Sequence, residues 1–234
     1  MKFSSALSRF GSLTLASWLL ASSAALAFKP SNVSTRPNYR RSGGTRDPIP
    51  GCIANPEAGQ SLTALVPETT SLTTAAYPDL QWFLPENSAS YLEFKLYQIT
   101  SDEDLMPVYQ VAHALSGEGG IATLSIPQNL GIAPLQMGTT YYWSVEVYCE
   151  VGNEQADMSV FGYVERVEAN TALQAQMDAA RTAVEQAEIA AEIGLWHDAA
   201  TLLTSNLDSP SALAAWQDLL GAVELDDVAE EPLL

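Results

Sequence analysis

The most informative segment of the chain reads Leu135-Gln136-Met137-Gly138-Thr139-Thr140-Tyr141-Tyr142-Trp143, and it continues in alternating residues to Glu150. Successive side chains of a β-strand point to opposite faces of a sheet. One face would present the mostly apolar set Tyr141, Trp143, Val145, Val147 and Cys149. The other would present Tyr142, Ser144, Glu146, Tyr148 and Glu150. Residues 139–150 are therefore predicted to form a long strand with one buried and one outward face.

Other short segments on both sides of this strand show the same period of two. Turn residues interrupt them about every ten positions. They are residues 62–66, 80–84, 91–99, 108–115, 121–126 and 158–167. With 139–150 these make seven short antiparallel strands, a spacing that predicts a β-sandwich over residues 52–168.

The spacing L-x-x-G-x-x-Y-x-W over residues 135–143 resembles the tyrosine corner of immunoglobulin-like and fibronectin-type sandwiches. The resemblance implies that the Tyr141 hydroxyl bonds to the backbone before the strand and that Leu135 packs beneath the ring. We therefore expect an immunoglobulin/fibronectin-like antiparallel β-sandwich.

The chain has two cysteines, Cys52 before the first predicted strand and Cys149 at the end of the predicted core face. A cysteine on a buried face favours a disulfide, and Cys52 is its one possible partner. The alternative, a catalytic thiol, requires a nearby base and a reducing compartment. An exported chain with two cysteines usually oxidises them, so we predict the Cys52–Cys149 bond.

The hydrophobic period changes after Val167. One helical stripe contains Leu173, Met177, Ala180, Val184, Ala187 and Ala191, which predicts a long helix capped by Asn170 and ended by Gly194. Two more helices are predicted over 196–207 and 211–220, the latter with Leu213, Trp216 and Leu220 inward. Residues 194–199 resemble half of a tetratricopeptide repeat. We therefore expect a single helical hairpin at 169–222 and an acidic tail at 223–234.

Residues 1–27 have the features of a signal peptide. Lys2 and Arg9 precede or border an apolar run at 13–20, and Ala25-Leu26-Ala27 fits a cleavage site. A membrane anchor is the alternative, but the run is shorter than the roughly 20 apolar residues that a span needs. We expect the mature chain in the periplasm or outside the cell.

Charge is distributed unevenly along the 234 residues. Acidic residues number 28 and basic residues 10, giving a net charge of −18, which argues against nucleic acid as a partner. Residues 28–51 contain the basic residues Lys29, Arg36, Arg40, Arg41 and Arg46. From Asp47 onward only Lys95, Arg166 and Arg181 are basic. We expect 28–51 to be a flexible linker. The alternatives are an arm that contacts a polyanion or one that folds back on the acidic body.

Several stretches occur together, in this order, in one family. They are 40–46, 62–67, 82–85, 93–94, 135–143, 162–167 and 194–199. The chain thus resembles the cyanobacterial secreted family described as domain of unknown function 928. This chain has His197 where the family favours tyrosine. The family has no established activity, so the resemblance implies a context of secreted adhesin-like and repeat proteins and no mechanism.

No residue set favours catalysis. His113 and His197 lack a nucleophile context, and Asp102-Glu103-Asp104 is an acidic turn or at most a weak Ca²⁺ site. We predict no cofactor and no metal. The candidate binding residues are Tyr142, Tyr148, Trp196, His197, Arg40 and Arg41.

Two functions remain open from the sequence. The first is an exported, non-enzymatic interaction or structural module of the cell envelope, whose partner is another envelope or secreted protein. The alternative is a carbohydrate-binding or hydrolytic envelope protein. The alternative predicts a concave pocket with an exposed ring and two converging carboxylates.

Overall fold

The computed structural model describes residues 28–30, 36–42, 52 and 61–234. The predicted signal peptide and part of the basic arm, including Arg46, lie outside these residues. The described chain is mixed β plus α, with two sheets and four α-helices.

Eight strands form the two sheets. They are β1 (Thr63–Ala64), β2 (Ser71–Thr73), β3 (Asp79–Leu84), β4 (Tyr91–Ile99), β5 (Leu105–Ala114), β6 (Gly120–Ser125), β7 (Thr140–Tyr148) and β8 (Met158–Arg166). The larger sheet has the order β2-β8-β7-β4-β5, and the smaller has the order β1-β3-β6. Every ladder between these strands is antiparallel except that between β2 and β8.

The prediction of seven antiparallel strands is wrong in two respects. Strand β2 is an eighth strand, and it pairs parallel to β8, with Ser71 opposite Val164. Its three residues are too few to show a period of two. Only Thr63 and Ala64 of the predicted strand at 62–66 are in a ladder.

A column of three aromatic side chains joins the two sheets. Trp82 of β3 stacks on Phe94 of β4 with ring centroids 6.2 Å apart, and Phe94 stacks on Trp143 of β7 at 6.3 Å. All three rings are buried. The predicted inner face of β7 is thus present, with Tyr141 also buried.

The bond implied by the tyrosine corner is confirmed. The Tyr141 hydroxyl accepts a hydrogen bond of 2.9 Å from the backbone N–H of Gln136. Leu135 is buried next to it in the chain. This bond fixes the segment just before β7 to the first residues of that strand. The predicted disulfide is also present, with the Cα atoms of Cys52 and Cys149 5.7 Å apart.

Four helices follow the sheets: α1 (Thr171–Ala179), α2 (Ala183–Glu192), α3 (Trp196–Thr204) and α4 (Pro210–Gly221). The predicted long helix is wrong, because it is interrupted between α1 and α2. Thr182 caps α2 by accepting from the N–H of Glu185, and the Glu185 carboxylate accepts from the N–H of Arg181. This arrangement resembles a capping box, with the return bond coming from the residue before the N-cap, and the apolar stripe did not reveal it.

The helices cover the face of β3 that points away from Trp82. Gln81 of β3 donates a 3.0 Å hydrogen bond to the Thr204 hydroxyl of α3. Trp216 and Leu220 of α4 are buried as predicted, whereas Leu213 is 41% exposed and its predicted inward position is wrong. None of the helices in the described ranges has the length and hydropathy that a bilayer crossing requires.

The predicted acidic tail packs against the body. Leu225 and Val228 are fully buried. Leu233 pairs in parallel with Ile121 at the start of β6, and the Ile121 N–H donates 2.7 Å to the Pro232 carbonyl. The apolar residues of 223–234 therefore anchor the segment, while its carboxylates face outward or form ion pairs.

Loss of the disulfide should lower the free energy of unfolding. The bond joins residues 97 positions apart, and a closed loop of this length stabilises a fold by about 5 kcal/mol on the chain-entropy account. Denaturant unfolding of Cys149→Ser, compared with the oxidised wild type, measures this difference. Two titratable thiols in the unfolded, unreduced wild type would contradict the bond.

Gly162→Ala should destabilise the fold by about 1–3 kcal/mol, because added core volume strains its neighbours. A Cβ at Gly162 would lie 2.8 Å from Nε1 of Trp143, its cross-strand partner. Ser159→Ala on the same strand is the control. The cause is tested by introducing Gly162→Ala into a Trp143→Phe background. If Gly162→Ala lowers the free energy of unfolding as much in that background as in the wild type, a clash with the indole is not the cause.

Candidate functional site

An aromatic cluster occupies the outer face of the larger sheet around Tyr142. In the strand register Tyr142 lies opposite Tyr97 of β4 and Tyr163 of β8. The Tyr142 ring centroid is 6.1 Å from that of Tyr97, 5.6 Å from that of Tyr163 and 5.3 Å from that of Phe161. We call these four residues the tyrosine patch. All four side chains are partly exposed.

Residues 36–42 border the tyrosine patch along β8. The Tyr39 ring stacks on Phe161 with centroids 5.5 Å apart, and their backbones exchange two hydrogen bonds of 3.0 Å. The Arg36 guanidinium lies 5.8 Å from the centre of the Tyr163 ring and pairs with Glu103. Burial raises the pKa of Tyr142 above its ordinary value, so this phenol is uncharged at neutral pH.

The rings of the patch are not coplanar. Tyr142 is tilted by 47° to Tyr97, by 43° to Phe161 and by 60° to Tyr163. The surface is therefore irregular, with phenol groups and ring edges both presented to an approaching molecule.

Tyr148 does not belong to an outward surface, and its expected role there is wrong. Its side chain is 6% exposed because its ring stacks on Tyr91 with centroids 4.6 Å apart. The hydroxyl donates a 2.9 Å hydrogen bond to Glu146. Burial, together with this bond, raises the pKa of Tyr148 to about 12.

Two carboxylates converge between Tyr148 and the tyrosine patch. Lys95 Nζ lies 2.6 Å from Glu146 and 3.1 Å from Glu93. Burial disfavours the charge on Lys95, but the hydrogen bonds to Glu146 and Glu93 outweigh it and raise the pKa of this ammonium group. Both carboxylates are thus engaged by a cation on an open sheet face, unlike the free pair in a pocket that the hydrolytic alternative predicts.

Arg40 and Arg41 bond within the chain. Arg40 donates to the Val223 carbonyl at 2.6 Å and lies 3.4 Å from Glu68. Arg41 forms a bidentate pair with Asp227 at 2.6 and 2.7 Å, and these hydrogen bonds lower the pKa of the Asp227 carboxyl. Residues 36–42 therefore fold back on the acidic body and do not form the expected flexible linker. Both arginines are already neutralised by the body.

Trp196 and His197 are buried, so their expected role at a contact surface is wrong. The Trp196 indole N–H donates 2.8 Å to the Leu65 carbonyl, and Phe28 packs edge-on against the ring. His197 Nε2 lies 2.8 Å from the Ser71 hydroxyl. The chain turns at Gly194 just before α3 begins, and both side chains lie on the side of α3 that faces the sheets.

The serine and histidine do not form a catalytic pair. Ser71 is 1% and His197 2% exposed, so neither reaches a substrate. The neighbouring Asp198 accepts hydrogen bonds from the backbone N–H and the hydroxyl of Thr74. Together these contacts fasten the start of α3 to β2. The other histidine, His113, is exposed on β5.

A polar pocket of about 330 Å³ adjoins the tyrosine patch. Its lining includes Arg36, Gln98, Thr100, Glu103, Thr139 and Thr140. Arg36 belongs to both surfaces, since its guanidinium also faces Tyr163. In the part of the chain that the structure describes, no group of three or more His, Cys, Asp or Glu residues is arranged to hold a metal ion.

Tyr142 is one of the binding residues predicted from the sequence, whereas its neighbours Tyr97, Phe161, Tyr163 and Arg36 are not. The period of two places Tyr97 on an outward face, and the same period places Phe161 and Tyr163 together on β8. Their convergence on Tyr142 depends on the register between β4, β7 and β8, which no local pattern gives.

Protonation of His197 should make the protein less stable in acid. Burial lowers the pKa of His197 to about 4 from 6.5, although a backbone hydrogen bond at Asp79 opposes the shift. Above pH 6.5 the imidazole is neutral in both states and has no effect. As the pH falls from 6.5 to 4 only the unfolded chain takes up the proton, so about 3 kcal/mol of stability is lost.

The measurement is the free energy of unfolding at pH 7 and at pH 4 for the wild type and His197→Gln. Carboxyl groups titrate in both proteins, so the difference between the two pH dependences isolates the histidine. His113→Gln, which removes the other imidazole, is the matched control. If wild type and His197→Gln lose the same free energy of unfolding between pH 7 and pH 4, His197 is not the group responsible for the acid sensitivity.

The chain is similar to a known protein family. No curated protein matches the chain. A family model described as Domain of Unknown Function (DUF928) matches residues 41–233. This match includes β1 to β8, all four helices and the packed C-terminal segment. The chain therefore belongs to the DUF928 family.

Proposed function

We propose that the protein is an exported, non-enzymatic interaction module of the cell envelope, and that it contacts another envelope or secreted protein through the tyrosine patch. The predicted signal peptide supports export. The Cys52–Cys149 disulfide supports an oxidising compartment. In this proposal the sheets form an immunoglobulin/fibronectin-like sandwich and the helices a single tetratricopeptide-like hairpin. Both serve as the scaffold.

The observation that best supports this function is the composition and exposure of the tyrosine patch. Four aromatic side chains and the bordering Arg36 are partly exposed on one sheet face. Tyrosine and arginine are, with tryptophan, the residue types enriched among those that contribute most binding energy at protein interfaces. Because the rings already support one another, little side-chain entropy would be lost when a partner binds.

A second candidate function is carbohydrate binding at the same place. The polar pocket beside the patch supports it, since sugar hydroxyls need side chains such as Gln98 and Thr140 next to an aromatic ring. The mutual tilt of the rings disfavours a flat polysaccharide surface but permits a single sugar residue in the pocket.

Tyr142→Ser should weaken partner binding at least tenfold, because a central aromatic residue would be removed from the contact. The mutant should keep the disulfide and a wild-type unfolding transition to within about 1 kcal/mol, since the side chain is only partly buried. The direct test places a photoreactive benzoylphenylalanine at Tyr142 in the full chain and irradiates it in its native compartment.

Val151 is the control position for cross-linking. It is 83% exposed in the turn between β7 and β8, so it reports random collision. A discrete adduct from position 142 that protease degrades supports the protein partner. An adduct that periodate cleaves supports the carbohydrate alternative. Equal labelling from positions 142 and 151 would refute the patch as a binding surface.

A further inference from the structure

The two sheets are joined differently at their two edges. At one edge residues 36–42 bond to both sheets: Tyr39 pairs with Phe161 of β8, and Arg41 pairs with Thr63 of β1. The Ala64 N–H also donates 2.7 Å to the Arg40 carbonyl. An extended segment of the chain itself therefore connects the sheets at this edge.

At the opposite edge, between β5 and β6, the sheets are separated by an apolar groove of about 490 Å³. The lining includes Trp82, Leu92, Tyr109, Leu124, Leu130 and Leu234. Tyr109 lies opposite Leu96 of β4, and Leu124 lies opposite Leu80 of β3, so the groove opens onto the inner faces of both sheets. We call this feature the edge groove.

Both strands beside the edge groove have free edges in the described ranges. Strand β5 is ten residues long and is paired there only with β4, and residues 122–125 of β6 are paired there only with β3. Such an edge presents unpaired N–H and C=O groups to another strand. Exposed apolar side chains lie beside this edge. Leu105 (49% exposed) and Met106 (47%) begin β5, and Leu130 (65%) lines the edge groove.

Charge determines which strand would fit. Among the residues that the structure describes, neither strand β5 nor the lining of the edge groove contains Asp, Glu, Lys or Arg. Acidic residues lie at the ends: Asp102 and Asp104 precede β5, and Glu118 follows it. A second copy of a chain with net charge −18 would bring its own acidic ends to these positions. A strand with an apolar centre and basic ends avoids that repulsion.

We propose that the edge groove binds an extended peptide of a partner protein, which pairs with β5 as an additional strand. Its alternate side chains are apolar and enter the groove, and its flanks are basic. Pro107 has no N–H to donate, so pairing extends along residues 108–114. Segment 36–42, which has basic residues around Tyr39, is the intramolecular example of this arrangement at the other edge.

The probe is a fluorescent, N-acetylated peptide of three valines alternating with two threonines between lysine pairs. With the full chain, we expect saturable binding by fluorescence polarisation and slower amide hydrogen exchange at 108–114. A peptide of the same sequence with methylated backbone nitrogens should bind at least tenfold more weakly, since it cannot form the ladder.

Leu130→Lys should weaken binding of the probe about tenfold, because it removes an apolar side chain of the groove and repels the basic flank. Val151→Lys adds the same charge at another exposed site and should leave binding unchanged. Tyr142→Ser should also bind the probe normally, so failure of the tyrosine patch and failure of this proposal can be distinguished.

Three results would overturn the proposal. Equal binding of the methylated peptide would show that no strand pairing occurs. Equal weakening by Leu130→Lys and Val151→Lys would show attraction by net charge alone. Protection of 108–114 in the absence of peptide, together with a dimeric mass by light scattering, would show that a second copy occupies the edge.

Discussion

The aromatic column formed by Trp82, Phe94 and Trp143 is the contact on which the two sheets depend. Each ring is almost completely inaccessible to water, and the column crosses from the smaller sheet to the larger. Large buried aromatic side chains contribute strongly to core stability. The Trp143 indole is also why β8 has a glycine at position 162, since any side chain there would overlap the ring. The outer face of the same strands is consequently held in a fixed register, and this register brings the rings around Tyr142 together.

The helical region is attached to the sheets by a shared apolar core and by a set of specific polar contacts. Ser71, His197, Thr74 and Asp198 bond to one another in pairs, and Gln81 bonds to Thr204. Buried polar groups must find partners, so these pairs fix where α3 can lie. This explains why side chains that suggest chemistry in the sequence, such as the histidine and tryptophan after Gly194, are structural. Their polar atoms are used to dock the helices.

An ion pair and a backbone hydrogen bond connect the basic arm to the acidic C-terminal segment. Arg40 and Arg41 reach Val223 and Asp227, which lie more than 180 positions later in the chain. Arg41 is thus fastened to Asp227 at one side of the fold, while within the described ranges no second strand pairs with β5 or with residues 122–125 of β6. The surfaces proposed for binding are the tyrosine patch and the edge groove. Both are weakly charged surfaces on an acidic protein, which favours partners recognised by shape and apolar contact.

Local patterns determined much of the secondary structure. The alternation from Tyr141 to Cys149 identified β7 and its buried face. The resemblance of residues 135–143 to a tyrosine corner implied a bond from Tyr141 to the backbone before the strand, and the structure places that bond at Gln136. Six of the predicted strand segments overlap ladders of four residues or more, and only the first reduces to two paired residues. The sequence Thr182-Ala183-Val184-Glu185 has the T-x-x-E pattern of a helix start, whereas the apolar stripe taken alone predicts one continuous helix.

Tertiary structure decided which residues are available for binding. Outward residues of β7 looked equivalent in the sequence, yet Tyr148 is buried by Tyr91 and Tyr142 is partly exposed. Trp196 and His197 are buried because α3 folds onto β2, which is three residues long and has no period of its own. The parallel pairing of β2, the position of residues 36–42 and the edge groove all depend on contacts between distant segments. Periodicity and capping report the preferences of neighbouring residues, whereas these features result from the burial of apolar surface and the pairing of polar groups across the whole chain.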